Sequence, residues 1–165
     1  MTGYMPVAKS HDWETPQWFF DKLDREFGFD LDPASSHQNA KCDLHYTIEE
    51  DGLIQPWTGH TVWLNPPYGR EINDWLGKAF NESTKNGATV VALIPTRSDT
   101  EWWHRYVMQA HEIRFVKKRL HFVHEGGKTD SAPFPSVLVV LRAGVPDGPP
   151  AVGWEMGGKQ AAEHP

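Results

Sequence analysis

The sequence predicts an α/β protein in which one sheet carries helices on both faces. Two continuous apolar runs, Thr89 to Ile94 and Val137 to Leu141, have the length and composition of strands buried on both sides. Segments with apolar residues at helical spacing precede and separate them. Strands therefore alternate with helices along the chain, the pattern of layered α/β sheets.

The elements follow in order. Thr15 is placed to cap a helix, with Pro16 at its first position and Gly28 just past its end. Phe19, Phe20, Leu23 and Phe27 give that helix an apolar face. Phe29 to Asp32 reads as a short strand stopped by Pro33, and the small, polar residues 34–44 as a loop or short helix. Thr61 to Leu64 is a second strand. Ile72, Trp75, Leu76, Ala79 and Phe80 mark a helix that Gly87 ends. The run from Thr89 is read as a parallel strand, stopped by Pro95. A helix is expected over 100–109 and strands near 112–117 and 119–124, with Phe115 and Leu120 facing the core. A loop over 126–135 precedes the last apolar strand. From Gly144 onward Gly and Pro are dense and apolar clustering vanishes, which predicts a flexible, dispensable tail over 144–165 behind a single domain at 12–143.

Composition narrows the function classes. The chain has 165 residues, 39% hydrophobic and 23% charged, which suits one soluble domain. No apolar run approaches a membrane span, and the N-terminus shows no signal pattern, so a cytoplasmic protein is expected. The net charge of −6 argues against a non-specific nucleic-acid coat. One stretch is locally basic: residues 113–124 hold Arg114, Lys117, Lys118, Arg119, His121 and His124 without an acid. Cys42 is the single cysteine, so no internal disulfide forms. His37, Cys42 and His45 lie close in sequence, but a closed zinc site needs a fourth ligand and none is evident, so no metal is assigned.

The chemistry concentrates in Asn65-Pro66-Pro67-Tyr68, directly after the second strand. An amino group conjugated to a planar system is a poor nucleophile, because its lone pair is delocalised. Accepting both of its N–H protons draws the nitrogen toward tetrahedral geometry. The Asn65 side-chain oxygen and the carbonyl of Pro66 can do this, and Pro67 stiffens the segment without offering an N–H. Tyr68 supplies a flat face on which a base can stack. Asp32, Asn65 and Pro95 each follow a strand and are expected on one rim, where ligands of open α/β sheets bind.

Six segments occur in order: Asp12-Trp13-Glu14-Thr15-Pro16, Phe29-Asp30-Leu31-Asp32-Pro33-Ala34, Glu50-Asp51-Gly52-Leu53 with Trp57, Asn65-Pro66-Pro67-Tyr68, Leu93-Ile94-Pro95-Thr96-Arg97, and Ala132-Pro133-Phe134-Pro135-Ser136. Over residues 12–142 the chain resembles the phage-type DNA N-6-adenine methyltransferase (Dam) family. The resemblance implies a class I, Rossmann-like fold that uses S-adenosylmethionine, in a phage- or prophage-encoded enzyme of the bacterial cytoplasm. It implies cofactor contacts from Trp13, Thr15 and Pro16, from Asp32 with Pro33 and Ala34, and from Asp51. It implies double-stranded DNA as partner, with the target adenine flipped out. Arg97 and the basic stretch Arg114, Lys117, Lys118 and Arg119 are the expected DNA contacts. Two departures stand out. Pro33-Ala34-Ser35-Ser36 replaces the usual Gly-rich loop, and only residues 33–64 separate Asp32 from Asn65, which implies a shortened sheet. The tetrapeptide equally suits a cytosine N-4 amino group or a protein glutamine amide, and an inactive DNA-binding relative would keep the fold. Oligomeric state is not legible in the sequence.

Overall fold

The computed structural model describes residues 13–144 and 151–157. Its centre is a mixed five-stranded sheet of β1 (Thr61–Leu64), β2 (Thr89–Pro95), β3 (Glu112–Val116), β6 (Ser136–Leu141) and β7 (Ala151–Trp154). The strand order is β1-β2-β6-β3-β7. β1 and β2 run parallel, β6 is antiparallel to both β2 and β3, and β7 is parallel to β3. A separate hairpin joins β4 (His121–Val123) to β5 (Thr129–Ser131). The helices are α1 (Gln17–Phe27), α2 (Ile72–Asn86) and α3 (Glu101–Arg105), the last followed by a 3-10 turn at Val107–Gln109.

Strand alternation divides the core into two layers. Val62, Leu64, Val90, Ala92, Ile94, Val137 and Val139 pack against Trp75, Leu76 and Ala79 of α2. Trp63, Val91, Leu93, Leu138 and Val140 point the other way, against Phe19, Phe20 and Leu23 of α1 and Phe122 of the hairpin. Both long helices end at a glycine with positive φ, Gly28 at 70° and Gly87 at 72°, a backbone state that favours glycine.

Several expectations are corrected. The strand at 29–32 shrinks to Leu31 and Asp32, bridged to Val62 and His45 in parallel. The Asp30 carboxylate accepts from the Thr61 N–H at 2.9 Å, standing in for a ladder carbonyl, and Pro33 ends the segment. Residues 34–44 form turns and no helix. α1 starts at Gln17 with Pro16 as its cap, so Thr15 lies outside it. β2 has a parallel neighbour on one side only. Phe115 is exposed while Arg114 is buried, the reverse of the expected strand face; Leu120 is buried as expected.

The expected flexible tail is also corrected over its described part. β7 adds to the sheet edge, Trp154 packs edge-on against Phe19 with ring centres 5.4 Å apart, and Met156 is buried. Lys22 of α1 lies over the Trp154 ring and donates to the carbonyls of Glu155 and Met156 at 2.9 and 2.8 Å. The rest of that predicted tail lies outside the described residues.

Candidate active site

The sheet topology brings the ends of the Leu31–Asp32 segment, β1 and β2 to one rim. An open cleft of about 610 Å³ lies there, lined by Pro33, Ala34, Asp51, Gly52, Asn65, Pro67 and Trp75 among others. Five of the expected cofactor and catalytic positions, Pro33, Ala34, Asp51, Asn65 and Pro67, on three separate segments, therefore share one cavity. Its size falls within the usual range for small-ligand sites.

Asp32 sits behind this cleft. Its buried carboxylate accepts from the Lys41 N–H at 2.9 Å and the Ala34 N–H at 3.4 Å, which pins the loop between them. Ser36 and Asn39 brace the same loop: the Ser36 N–H donates to Asn39 Oδ1 at 2.7 Å, and the Asn39 N–H to Ser36 Oγ at 3.2 Å. These side-chain acceptors hold Pro33-Ala34-Ser35-Ser36 in one conformation. Burial pushes the Asp32 carboxyl up to about 6, against the opposing effect of those two N–H donors. The folded protein holds this proton where an unfolded chain has lost it. The group's contribution to stability is therefore greatest at low pH and declines as pH rises to about 6. The loop behaves oppositely, because the protonated carboxyl gives up an acceptor. Affinity for S-adenosylhomocysteine should fall as pH drops through about 6 while this group's stability contribution rises. Calorimetry across that value checks it, and Asp32→Asn should remove the inflection; an affinity flat with pH would free the loop from Asp32.

On the other wall Asp51 adopts a positive φ of 59°, closed by the Leu53 N–H donating to its Oδ1 at 3.1 Å. Gly52 is required by space: a Cβ there would lie 2.1 Å from the Pro33 carbonyl oxygen, a backbone atom that gives way only if its loop shifts. Trp57 donates its indole N–H to the Gly52 carbonyl at 3.0 Å, and the Trp57 N–H donates to Glu82 of α2 at 2.9 Å. This brace, from α2 through Trp57 to Gly52, was not legible in the sequence. Gly52→Ala should force the two loops apart and lower the melting temperature; an unchanged melting temperature would show that the loops need not touch.

Asn65 follows β1. Its Nδ2 donates to the Trp13 carbonyl at 2.7 Å and to Thr15 Oγ1 at 3.1 Å. A carbonyl only accepts, so the amide orientation is fixed: Oδ1 must face the other side. There the Tyr68 hydroxyl donates to it at 2.8 Å, with the Leu93 carbonyl as a second acceptor at 3.2 Å. Burial pushes the Tyr68 phenol well up, so it keeps its proton and remains a donor. Its ring lies edge-on to Phe134 and Phe122, at 5.6 and 6.4 Å. Trp13 meets the same two rings at 5.2 and 5.4 Å. Trp13, Tyr68, Phe122 and Phe134 thus form one aromatic cluster beside Asn65. The hairpin is held there by the Val123 N–H, which donates to the Glu14 carbonyl at 2.8 Å. Phe134 belongs to a motif visible in the sequence, but its place beside Tyr68 depends on the hairpin fold.

The expected DNA contacts separate. Arg114 is withdrawn from that set: its guanidinium makes a two-pronged pair with Glu26 at 2.7 and 2.6 Å, a third bond to Glu112 at 3.0 Å, and lies over Phe27. That pairing holds the Glu26 carboxyl below its ordinary range. Arg97 is exposed in the loop after β2. Lys117 and Lys118 are exposed beyond β3, Lys117 meeting Glu155 at 3.0 Å. Arg119 donates to the Ala132 carbonyl at 3.3 Å and, with Lys118 and His121, lines a second cleft on the hairpin. His37 and His45 bond to each other at 2.9 Å, and among the described residues no group of three or more His, Cys, Asp or Glu is placed to hold a metal. Among them too, no helix is long and apolar enough to cross a membrane.

A mixed α/β sheet with an open cleft at its rim and an oriented Asn-Pro-Pro-Tyr segment beside that cleft is consistent with a methyltransferase fold. The chain belongs to the DNA N-6-adenine-methyltransferase (Dam) family, whose profile matches residues 3–147. It is similar to the DNA N-6-adenine-methyltransferase of Haemophilus phage HP1, with 31% identity over 82% of this chain and 81% of that protein. It is also similar to the DNA N-6-adenine-methyltransferase of Escherichia phage T1, with 32% identity over 70% of this chain and 48% of that one.

Proposed function

We propose that this chain transfers a methyl group from S-adenosylmethionine to the N-6 amino group of an adenine flipped out of double-stranded DNA. The observation that carries the reading is the fixed amide of Asn65, a residue that lines the cleft: its Oδ1 is turned away from Trp13 and Thr15, toward the Tyr68 hydroxyl. An open mixed sheet with its cleft beyond the ends of the Leu31–Asp32 segment and β1 supports a class I, Rossmann-like fold.

The cleft fits such a cofactor in size and in the chemistry of its walls. The loop at 33–36 and Asn39 offer polar groups, Asp51 a carboxylate, and Leu53 and Trp75 apolar surface. When bound, the cofactor supplies an electrophilic methyl group on a sulfonium. The protein's own part is orientation and desolvation. Asn65 Oδ1 accepts one proton of the target amino group and the Pro66 carbonyl the other. The Tyr68 hydroxyl has the Leu93 carbonyl as an alternative acceptor, so it can turn away as the base arrives. The cluster of Trp13, Tyr68, Phe122 and Phe134 gives the base an apolar wall. No side chain acts as a nucleophile, and the proton leaves after attack. Reaching the site requires flipping the base from the duplex.

The test is transfer of label from S-adenosylmethionine to mixed-sequence DNA, with a duplex of G·C pairs alone as control. Label in the first and none in the second is expected; no label in mixed DNA, or equal label in both, would defeat the proposal.

The DNA path in this reading runs past Arg97, Lys117, Lys118 and Arg119. Replacing Lys117 and Lys118 together by alanine should weaken DNA binding across sequences. The slope of log affinity against log salt should fall by about one unit for each phosphate left without its lysine. Cofactor affinity should not change. An unaltered slope in filter-binding titrations would place the DNA elsewhere.

A further inference from the structure

We propose, resting on the reading above, that Ser136 is a specificity-determining residue whose hydroxyl donates a hydrogen bond to a ring nitrogen of the flipped adenine. Ser136 opens β6 and is 2% exposed. Its Oγ is shut from solvent and has no hydrogen-bond partner among the described residues. The sequence helps explain why this oxygen is left over. Pro135 precedes it and Pro95 lies opposite it on β2, and neither has an N–H to give. Most buried hydroxyls in folded proteins are paired, and one that is not calls for a partner from outside the chain.

Its place in the sheet says what that partner is. Side chains alternate along a strand, so Ser136 shares a face with Leu138 and Val140. Those two pack in the layer of Phe122, with Phe134 against the same layer. Opposite Leu138 on β2 stands Leu93, whose carbonyl accepts from the Tyr68 hydroxyl at 3.2 Å. Ser136 thus sets an unpaired hydroxyl on the sheet face where Phe122 and Phe134 pack, the rings that with Trp13 and Tyr68 wall the target base. Ligand sites join such apolar walls to a few fixed polar groups that choose the ligand. A flat base entering between the rings can meet this one. With both amino protons taken by Asn65 and Pro66, the adenine ring presents only acceptors, so the hydroxyl must donate. N1 and N7 flank the amino group and are the nearest of them. A base with carbon at that position would leave the hydroxyl orphaned, which is how a site of this kind rejects an analogue.

The test crosses one change in the protein with one in the base. Duplexes carry 2′-deoxyadenosine, its 7-deaza analogue or its 1-deaza analogue at a position that the wild-type protein methylates. Values of kcat/KM are compared for wild type and Ser136→Ala. With one of the two analogues, wild type should lose roughly tenfold more than Ser136→Ala loses, the usual worth of one hydrogen bond. Any loss common to both proteins belongs to the altered base itself. On unmodified DNA Ser136→Ala should be slower by the same factor, with S-adenosylhomocysteine affinity unchanged. Because the hydroxyl has no partner among the described residues, its removal should leave the melting temperature equal or higher. Equal losses in the two proteins with both analogues overturn the assignment, as does wild-type kcat/KM in Ser136→Ala; a lowered melting temperature beside either result would give the hydroxyl to the fold instead. A wild-type protein indifferent to both analogues overturns it without any variant. None of these outcomes touches the methylation reading. A wild-type protein that methylates no DNA overturns the reading beneath it.

Discussion

Asn65→Ala should lower methyl transfer by about a hundredfold or more while S-adenosylhomocysteine binds within a few-fold of wild type. Loss of one oriented hydrogen bond to a reacting group typically costs that much in rate. The site makes the expectation sharper. Asn65 Oδ1 is turned toward Tyr68 by two donations from Nδ2, and alanine removes the acceptor without opening the loops at 33–39 and 47–53 that form much of the cleft. Single-turnover rates with saturating cofactor, beside calorimetry, separate the two effects. Near-normal turnover would remove Asn65 from the chemistry; lost ligand binding with an unchanged chemical step would make it a cofactor residue.

Ending the chain at residue 144 should lower stability by about 2–4 kcal/mol, since full burial of one large apolar side chain is worth roughly 1.5–3 kcal/mol. Met156 and the Phe19–Trp154 packing would both go. Lys22 would lose its two carbonyl partners, and β3 its neighbour on one side. For a domain of this size that corresponds to a fall in melting temperature of roughly 4–16 °C. Thermal unfolding of the truncated chain checks it. An unchanged melting temperature would return the segment to the dispensable tail that its composition suggests.

That segment shows where sequence stops being informative. α1, α2, β2 and β6 are legible because each presents a long apolar period and, for the two helices, a closing glycine. β7 is four residues, Ala-Val-Gly-Trp, set among glycines and prolines, and its strand state comes from pairing with β3. The basic stretch fails for a related reason. It holds no acid of its own, but acids reach it from elsewhere: Glu26 of α1 to Arg114, and Glu155 after β7 to Lys117. Arg114 is turned inward by that distant partner, and Phe115 is turned out with it. At the site, Asn65, Asp51 and the loop after Asp32 are legible as motifs. That Thr15 bonds to Asn65 depends on where α1 lies against β1, which no local pattern encodes. The brace from Glu82 through Trp57 to Gly52 likewise needs α2 and the loop at 47–57 to be packed together.

The central claim is that Asn65 and its setting serve adenine N-6. It is tested most directly by mass spectrometry of nucleosides, after genomic DNA is incubated with the protein and S-adenosylmethionine bearing a deuterated methyl group. The account predicts the label in N6-methyl-2′-deoxyadenosine, and its loss with Asn65→Ala. Label in N4-methyl-2′-deoxycytidine, or only in protein, would contradict it.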